Sequence, residues 1–142
     1  METLTTVKVM LDDGAKLPDR AHRDDAGLDL FSMVDCIVPA KGKAVIETGV
    51  HMDIPPGFVG LLTSKSGLMA KNNLTCRGTI DAGYTGAIRA VVFNHGSEDF
   101  EIHAGDKVTQ IVILPCATPS VSVVDSFTET ERGDNGFGST GV

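Results

Sequence analysis

The side chains able to do chemistry fall in five short polar segments, each built around glycine. They are Asp24-Asp25-Ala26-Gly27-Leu28-Asp29-Leu30-Phe31, Ser64-Lys65-Ser66-Gly67, Gly78-Thr79-Ile80-Asp81-Ala82-Gly83-Tyr84-Thr85-Gly86, Gly105-Asp106-Lys107-Val108-Thr109-Gln110, and the tail from Arg132 to Gly141. Asp81 stands just before an Ala82-Gly83 turn, where glycine tolerates positive φ. A carboxylate fixed at such a turn can orient a water and take its proton. Ser66 and Gly67 open a predicted helix, whose unpaired first-turn N–H groups favour phosphate. Taken singly, each segment reads as a hairpin turn.

Other chemistries have no sequence support. The chain carries no G-x-x-x-x-G-K-[ST] phosphate loop, no H-E-x-x-H and no C-x-x-C. His22, His51, His95 and His103 lack metal-ligand spacing and read as surface or turn residues.

The elements that must position these segments are strands. Val7, Val9 and Leu11 alternate with period two, as a half-buried strand does. Val34–Val38, Ala44–Ile46, Val50–Ile54, Phe58–Leu62, Ile88–Phe93, Phe100–Ile102, Val108–Leu114 and Val121–Val124 are further β-branched runs bounded by Gly, Pro, Asn and Asp. About nine strands at this spacing predict a sandwich or barrel. One stretch, Ser66 to Asn73, predicts a short helix with a serine cap and the Asn72-Asn73 pair as its stop. The tail, with Gly133, Gly136, Gly138 and Gly141 among Asp, Asn, Ser and Thr, predicts a mobile arm.

The 142 residues make one domain. Twelve Lys and Arg against 19 Asp and Glu leave a formal charge of −7. That balance excludes a basic nucleic-acid surface, because duplex binding is driven by phosphate neutralisation. Any polyanion must instead be held by local donors. Cys36, Cys76 and Cys116 cannot pair completely, which predicts a reducing, cytoplasmic setting and buried structural thiols. No apolar run reaches transmembrane length, and no signal peptide is expected at the N-terminus. Membrane and nucleic-acid partners are not expected.

Together, and in this order, the five segments resemble the motifs of the trimeric dUTP pyrophosphatases (dUTPases), from about Val7 to Gly141. Ala26-Gly27-Leu28-Asp29-Leu30, Gly78-Thr79-Ile80-Asp81-Ala82-Gly83-Tyr84 and Gly136-Phe137-Gly138-Ser139-Thr140-Gly141 carry the resemblance most strongly. It implies a jelly-roll-type β-barrel in a homotrimer. The arm, about residues 125–142, is then expected to close a neighbouring active site. It also implies that Asp81 is the catalytic base for hydrolysis of dUTP to dUMP and pyrophosphate, with Mg²⁺ as cofactor. Asp29 is expected to hold Mg²⁺ through water. Lys65, Ser66, Gly67 and Gln110 are expected to meet phosphate. Thr75, Gly78, Thr79, Ile80, Tyr84 and Ile88 are expected to form the nucleoside pocket. Arg132, Phe137, Gly138, Ser139 and Thr140 are expected to close over the substrate. Lys65 replaces the family's usual arginine, and Thr75 stands where asparagine is expected.

Two other readings stay open on the sequence. The related dCTP deaminases share the fold but place a glutamate in the third segment. A non-catalytic or regulatory relative would bind nucleotide or a protein partner, and such a second role is compatible with every motif present.

Overall fold

The computed structural model describes residues 3–138 and 141. Ser139 and Thr140, expected above to wrap phosphate, lie outside the described residues. The order is β1 (Lys8–Leu11), β2 (Leu28–Phe31), β3 (Cys36–Val38), β4 (Lys43–Glu47), β5 (Val50–Asp53), β6 (Phe58–Thr63), α1 (Ser66–Asn72), β7 (Leu74–Cys76), β8 (Gly78–Ile80), β9 (Arg89–Asn94), β10 (Phe100–Ile102) and β11 (Lys107–Pro115). This is an all-β, jelly-roll-type barrel with one short helix. Every strand pairing is antiparallel, in the orders β2-β11-β6-β8, β4-β9-β7, β1-β5 and β10-β3.

The period-two patterns decide which face is buried. In β9, Ala90, Val92 and Asn94 point inward while Arg89 and Phe93 face out. Leu30, Ile46, Ile54, Leu74, Ile102 and Ile111 meet in the core. Packing there is close enough that a Cβ on Gly60 would come within 2.7 Å of Ile111 Cδ1 and 2.8 Å of Ile54 Cδ1. The register of β11 against β2 breaks between Lys107 and Thr109. The irregularity lets the consecutive Val108 and Thr109 both be buried, and it sets the phase of Gln110.

Several expectations change. β2 and β8 are strands within segments that read singly as turns, and β7 is a strand not expected from the sequence. Val121–Val124 is not a strand: it has no β partner among the described residues, and Val121 and Val123 are almost fully exposed. From Ala117 onward every described residue is exposed, without helix or strand. A β-branched run needs a neighbouring strand to satisfy its backbone, and this one finds none among the described residues.

The helix stops at Asn72, where Asn73 takes a left-handed conformation (φ 59°) and donates its N–H to Leu68 O. No serine caps it. Lys65 occupies the N-cap in extended conformation, without a side-chain cap. Ser64 ties the strand end to β7 instead, accepting from Cys76 N at 3.0 Å and donating to Cys76 O at 3.2 Å. Cys76 alone of the three thiols is buried; Cys36 and Cys116 are half-buried. Burial pushes the Cys76 thiol up, against hydrogen bonds from Thr109 and Val91, so the thiolate is disfavoured. No described helix is long and apolar enough to cross a membrane.

Candidate active site

The sheet β2-β11-β6 brings one group of predicted residues into a row. Gln110 pairs with Asp29 on one side and with Thr63 on the other, and Ser64 and Lys65 continue from the end of β6. Asp29 is 2% exposed, yet its carboxylate is not stranded. Oδ1 lies 2.5 Å from Lys65 Nζ and Oδ2 lies 3.3 Å from Lys107 Nζ. Burial of a charge is tolerated only with such pairing. Lys107 thus pairs with Asp29 and not within its own hairpin, where Asp106 Oδ2 accepts from His103 N at 2.8 Å. Gln110 Nε2 donates to Ser64 O at 3.1 Å. Gly27 leaves the space for that amide, since a Cβ there would overlap Gln110 Oε1.

Beside this row, Ser66 and Gly67 are exposed at the start of α1 with no side chain capping them. The result is two ammonium groups, an amide and uncapped N–H groups around one carboxylate. Donors of these kinds suit an anion with several oxygens.

A second group forms on β8 and the turn after it. Tyr84 N donates to Asp81 O at 3.1 Å, closing a four-residue turn with Gly83 at φ 85°. A positive φ at the third position is the type II requirement, which glycine meets without strain. Gly83 N donates to Ile54 O at 3.2 Å, fixing the turn to the barrel. Tyr84 Oη donates to Ala87 O at 3.0 Å, and Gly86 is small enough to let the phenol lie there. Thr79, Ile80, Asp81, Tyr84 and Ile88 line a recess of about 280 Å³. Ile88 is 1% exposed, so it supplies floor, not a reaching group. Asp81 is exposed and joins no ion pair among the described residues.

Gly78, Thr79 and Thr75 line an adjoining recess of about 470 Å³. Thr75 Oγ1 is 2.7 Å from His95 Nε2, a partner 20 residues away that the sequence did not suggest. Arg132 Nε donates to Asn135 O at 2.9 Å within the tail, and Phe137 is fully exposed. Among the described residues, no hydrogen bond or ion pair joins Arg132 to the Asp29 or Asp81 groups. His51, read above as a surface residue, stands behind the Asp81 turn with Nδ1 2.6 Å from Thr85 O and Nε2 2.9 Å from Asp12 Oδ1. Both partners are more than 30 residues distant, so no local signal could have found it.

The two groups lie at opposite ends of β6. Ile80 pairs with Gly60, so Asp81 flanks the start of that strand, whereas Lys65 follows its end. Five residues at about 3.3 Å each separate them by roughly 17 Å. A carboxylate on one side and a set of ammonium, amide and N–H donors on the other are the kinds of group a phosphate-ester hydrolase uses, and this chain holds them at opposite ends of one strand.

Comparison with known proteins gives this class its family. The dUTPase family model matches residues 13–141. The deoxyuridine 5'-triphosphate nucleotidohydrolase of Clostridium acetobutylicum is 42% identical over 135 residues, covering 93% of each chain. Its counterpart in Arabidopsis thaliana is 44% identical over 133 residues, 93% of this chain and 80% of that one. Among solved structures, the Staphylococcus bacteriophage 80alpha dUTPase with dUpNHpp superposes at TM-score 0.89 and 34% identity, covering 98% of this chain and 100% of that one. A mutant dUTPase from phage phi11 of S. aureus, solved for its coordination of a structural Mg(II) ion, gives TM-score 0.81 at 34% identity over 87% of this chain and 99% of that one. The chain belongs to the dUTPase family.

Proposed function

We propose that Asp81 is the base of a dUTP-hydrolysing site assembled between subunits of a homotrimer. The enzyme is a dUTP diphosphatase, releasing dUMP and pyrophosphate. The observation that carries the site assignment is the separation along β6. Asp81 with the nucleoside recess comes from one subunit, and Lys65, Ser66, Gly67 and Gln110 come from the next. The arm, whose described residues are all exposed, supplies the third part.

Uracil presents two carbonyl acceptors flanking one N–H. The hairpin backbone from Gly78 to Tyr84, with Thr75 beside it, is the reader of that edge. Cytosine would set an amine against a backbone donor, the stronger kind of rejection. The Tyr84 ring, held by its bond to Ala87 O, packs on the deoxyribose and leaves no room for a 2′-hydroxyl. Asp81 orients a water and accepts its proton as the oxygen attacks the α-phosphorus. Gln110 has a second amide hydrogen for an α-phosphate oxygen. Lys65 and the uncapped N–H groups of α1 take charge on the leaving pyrophosphate. From the arm, Arg132 meets the γ-phosphate, Phe137 stacks over uracil, and Gly138 with Ser139 and Thr140 wraps the phosphates. Closure excludes water other than the one Asp81 holds.

The fit for Mg²⁺ is that of an ion carried on the triphosphate. No cluster of three His, Cys, Asp or Glu side chains occurs among the described residues. Asp29 alone is offered, and its oxygens keep lone pairs for a magnesium-bound water beside the two lysines. Magnesium commonly binds through one carboxylate, waters and substrate phosphates. Bound there, it neutralises charge on the triphosphate.

Hydrolysis keeps dUTP low, which limits uracil in DNA, and supplies dUMP for thymidylate synthesis. The unpaired cysteines fit a cytoplasmic enzyme. Pyrophosphate release from dUTP, dTTP, dCTP and UTP, with and without Mg²⁺, tests the reading. We expect dUTP alone to turn over well. Asp81→Ala should lower kcat by about 10³-fold or more while a non-hydrolysable dUTP analogue still binds. Ammonia release from dCTP, or near-normal kcat in Asp81→Ala, would overturn it.

A further inference from the structure

We propose that His51 is a positioning residue for the catalytic turn, acting as a doubly protonated clamp between the Thr85 carbonyl and the Asp12 carboxylate. The inference rests on the assignment of Asp81 and Tyr84 above. His51 lies on β5, opposite Met10 of β1. Both of its ring nitrogens face acceptors, Thr85 O at 2.6 Å and Asp12 Oδ1 at 2.9 Å. A carbonyl and an ionised carboxylate can only accept. A neutral imidazole has one N–H, so it would set a lone pair against one of these partners. The imidazolium satisfies both. The Thr85 carbonyl most of all, then Asp12, pushes the group above its usual value, with desolvation opposing.

The clamp matters because the turn has few other ties. From outside residues 81–87, the hydrogen bonds onto it among the described residues are Gly83 N to Ile54 O at 3.2 Å, a long backbone bond, and His51 to Thr85 O. Thr85 adjoins Tyr84 and lies four residues from Asp81. Other charged or titratable groups on the surrounding elements are Lys8 on β1, Asp53 on β5, Asp81 and Tyr84 on the turn, and Arg89 beyond it; Asp12 is the one in contact with the ring. A raised folded pKa means the clamp stabilises the native turn fully below the unfolded value near 6.5. That contribution is lost as pH rises through the folded pKa.

The test combines kinetics with hydrogen–deuterium exchange on the intact enzyme. For the wild type, kcat/KM should fall on the alkaline side as His51 loses its proton, and exchange of residues 81–87 should quicken over the same range. His51→Gln should lower kcat by about tenfold, since small misplacements of a base are costly, and should lack that alkaline limb. Asp12→Asn should keep the limb but move it to lower pH. A His51→Gln enzyme with wild-type kcat, pH profile and exchange would overturn the proposal. Should His51→Gln not fold, an Asp12→Asn limb unmoved from wild type would overturn it equally. Exchange is read without turnover, so loss of the clamp remains visible even if the activity assignment fails.

Discussion

At one end of β6, Asp29, Gln110 and Lys65 are held by side-chain bonds across three paired strands, and the central carboxylate is buried. At the other end, Asp81 and Tyr84 ride on an exposed turn tied by Ile54 O and by His51. The first region is fixed by its own ion pairs and amide bond, the pre-organisation that the proposed anion site needs. In the proposed site the second has to admit a nucleoside, present a carboxylate to water and accept an arm from elsewhere. On the proposed assignment, the comparison teaches why one chain would be insufficient: each end would be half of a different site.

Removing what completes the open end should cost most. Truncation after Phe127 should lower kcat/KM by about 100-fold, an amount typical of lost positioning. The melting temperature should hold within about 2 °C, since an exposed segment contributes little. Calorimetry beside the pyrophosphate assay checks both. A large drop in melting temperature would show that the arm belongs to the fold and not to the open half-site.

Crowding the closed end without removing its charged groups should cost less activity but some stability. Gly27→Ala forces the Gln110 amide aside. About a tenfold loss in kcat/KM and about 1 kcal/mol of stability are expected, the range for a small overpacked site. Denaturant unfolding with kinetics measures the pair. The smallest effect concerns Lys65→Arg, where a planar fork replaces a point charge beside Asp29. A two- to threefold fall in KM, with kcat little changed, is about what one improved phosphate contact provides. Steady-state titration of dUTP decides it.

Reading the sequence forward found the core strands because β4, β5, β6, β9 and β11 carry β-branched runs with clear alternation. It missed β2 because Asp29 sits among Leu28, Leu30 and Phe31 as a buried charge, which looks like a turn until Lys65 and Lys107 are seen beside it. Those lysines are remote in sequence, and burial of a charge is intelligible only with its partners. β7 and β8 are three residues each, too short for periodicity to show. Val121–Val124 has strand composition without a strand partner among the described residues. The residues of the site were legible as glycine-rich motifs. Their division into two groups was not, because it depends on the Ile80–Gly60 register.

Co-expression of Asp81→Ala with Lys65→Ala chains tests the shared site most directly. Each variant alone should be nearly inactive. Random mixing gives mixed trimers in about three of four cases, each with one intact Asp81–Lys65 pairing, so about a quarter of wild-type activity should return. If Asp81 and Lys65 served the same site from one chain, every site in every mixture would lack one of them. Activity no higher than that of the separate variants would contradict the account.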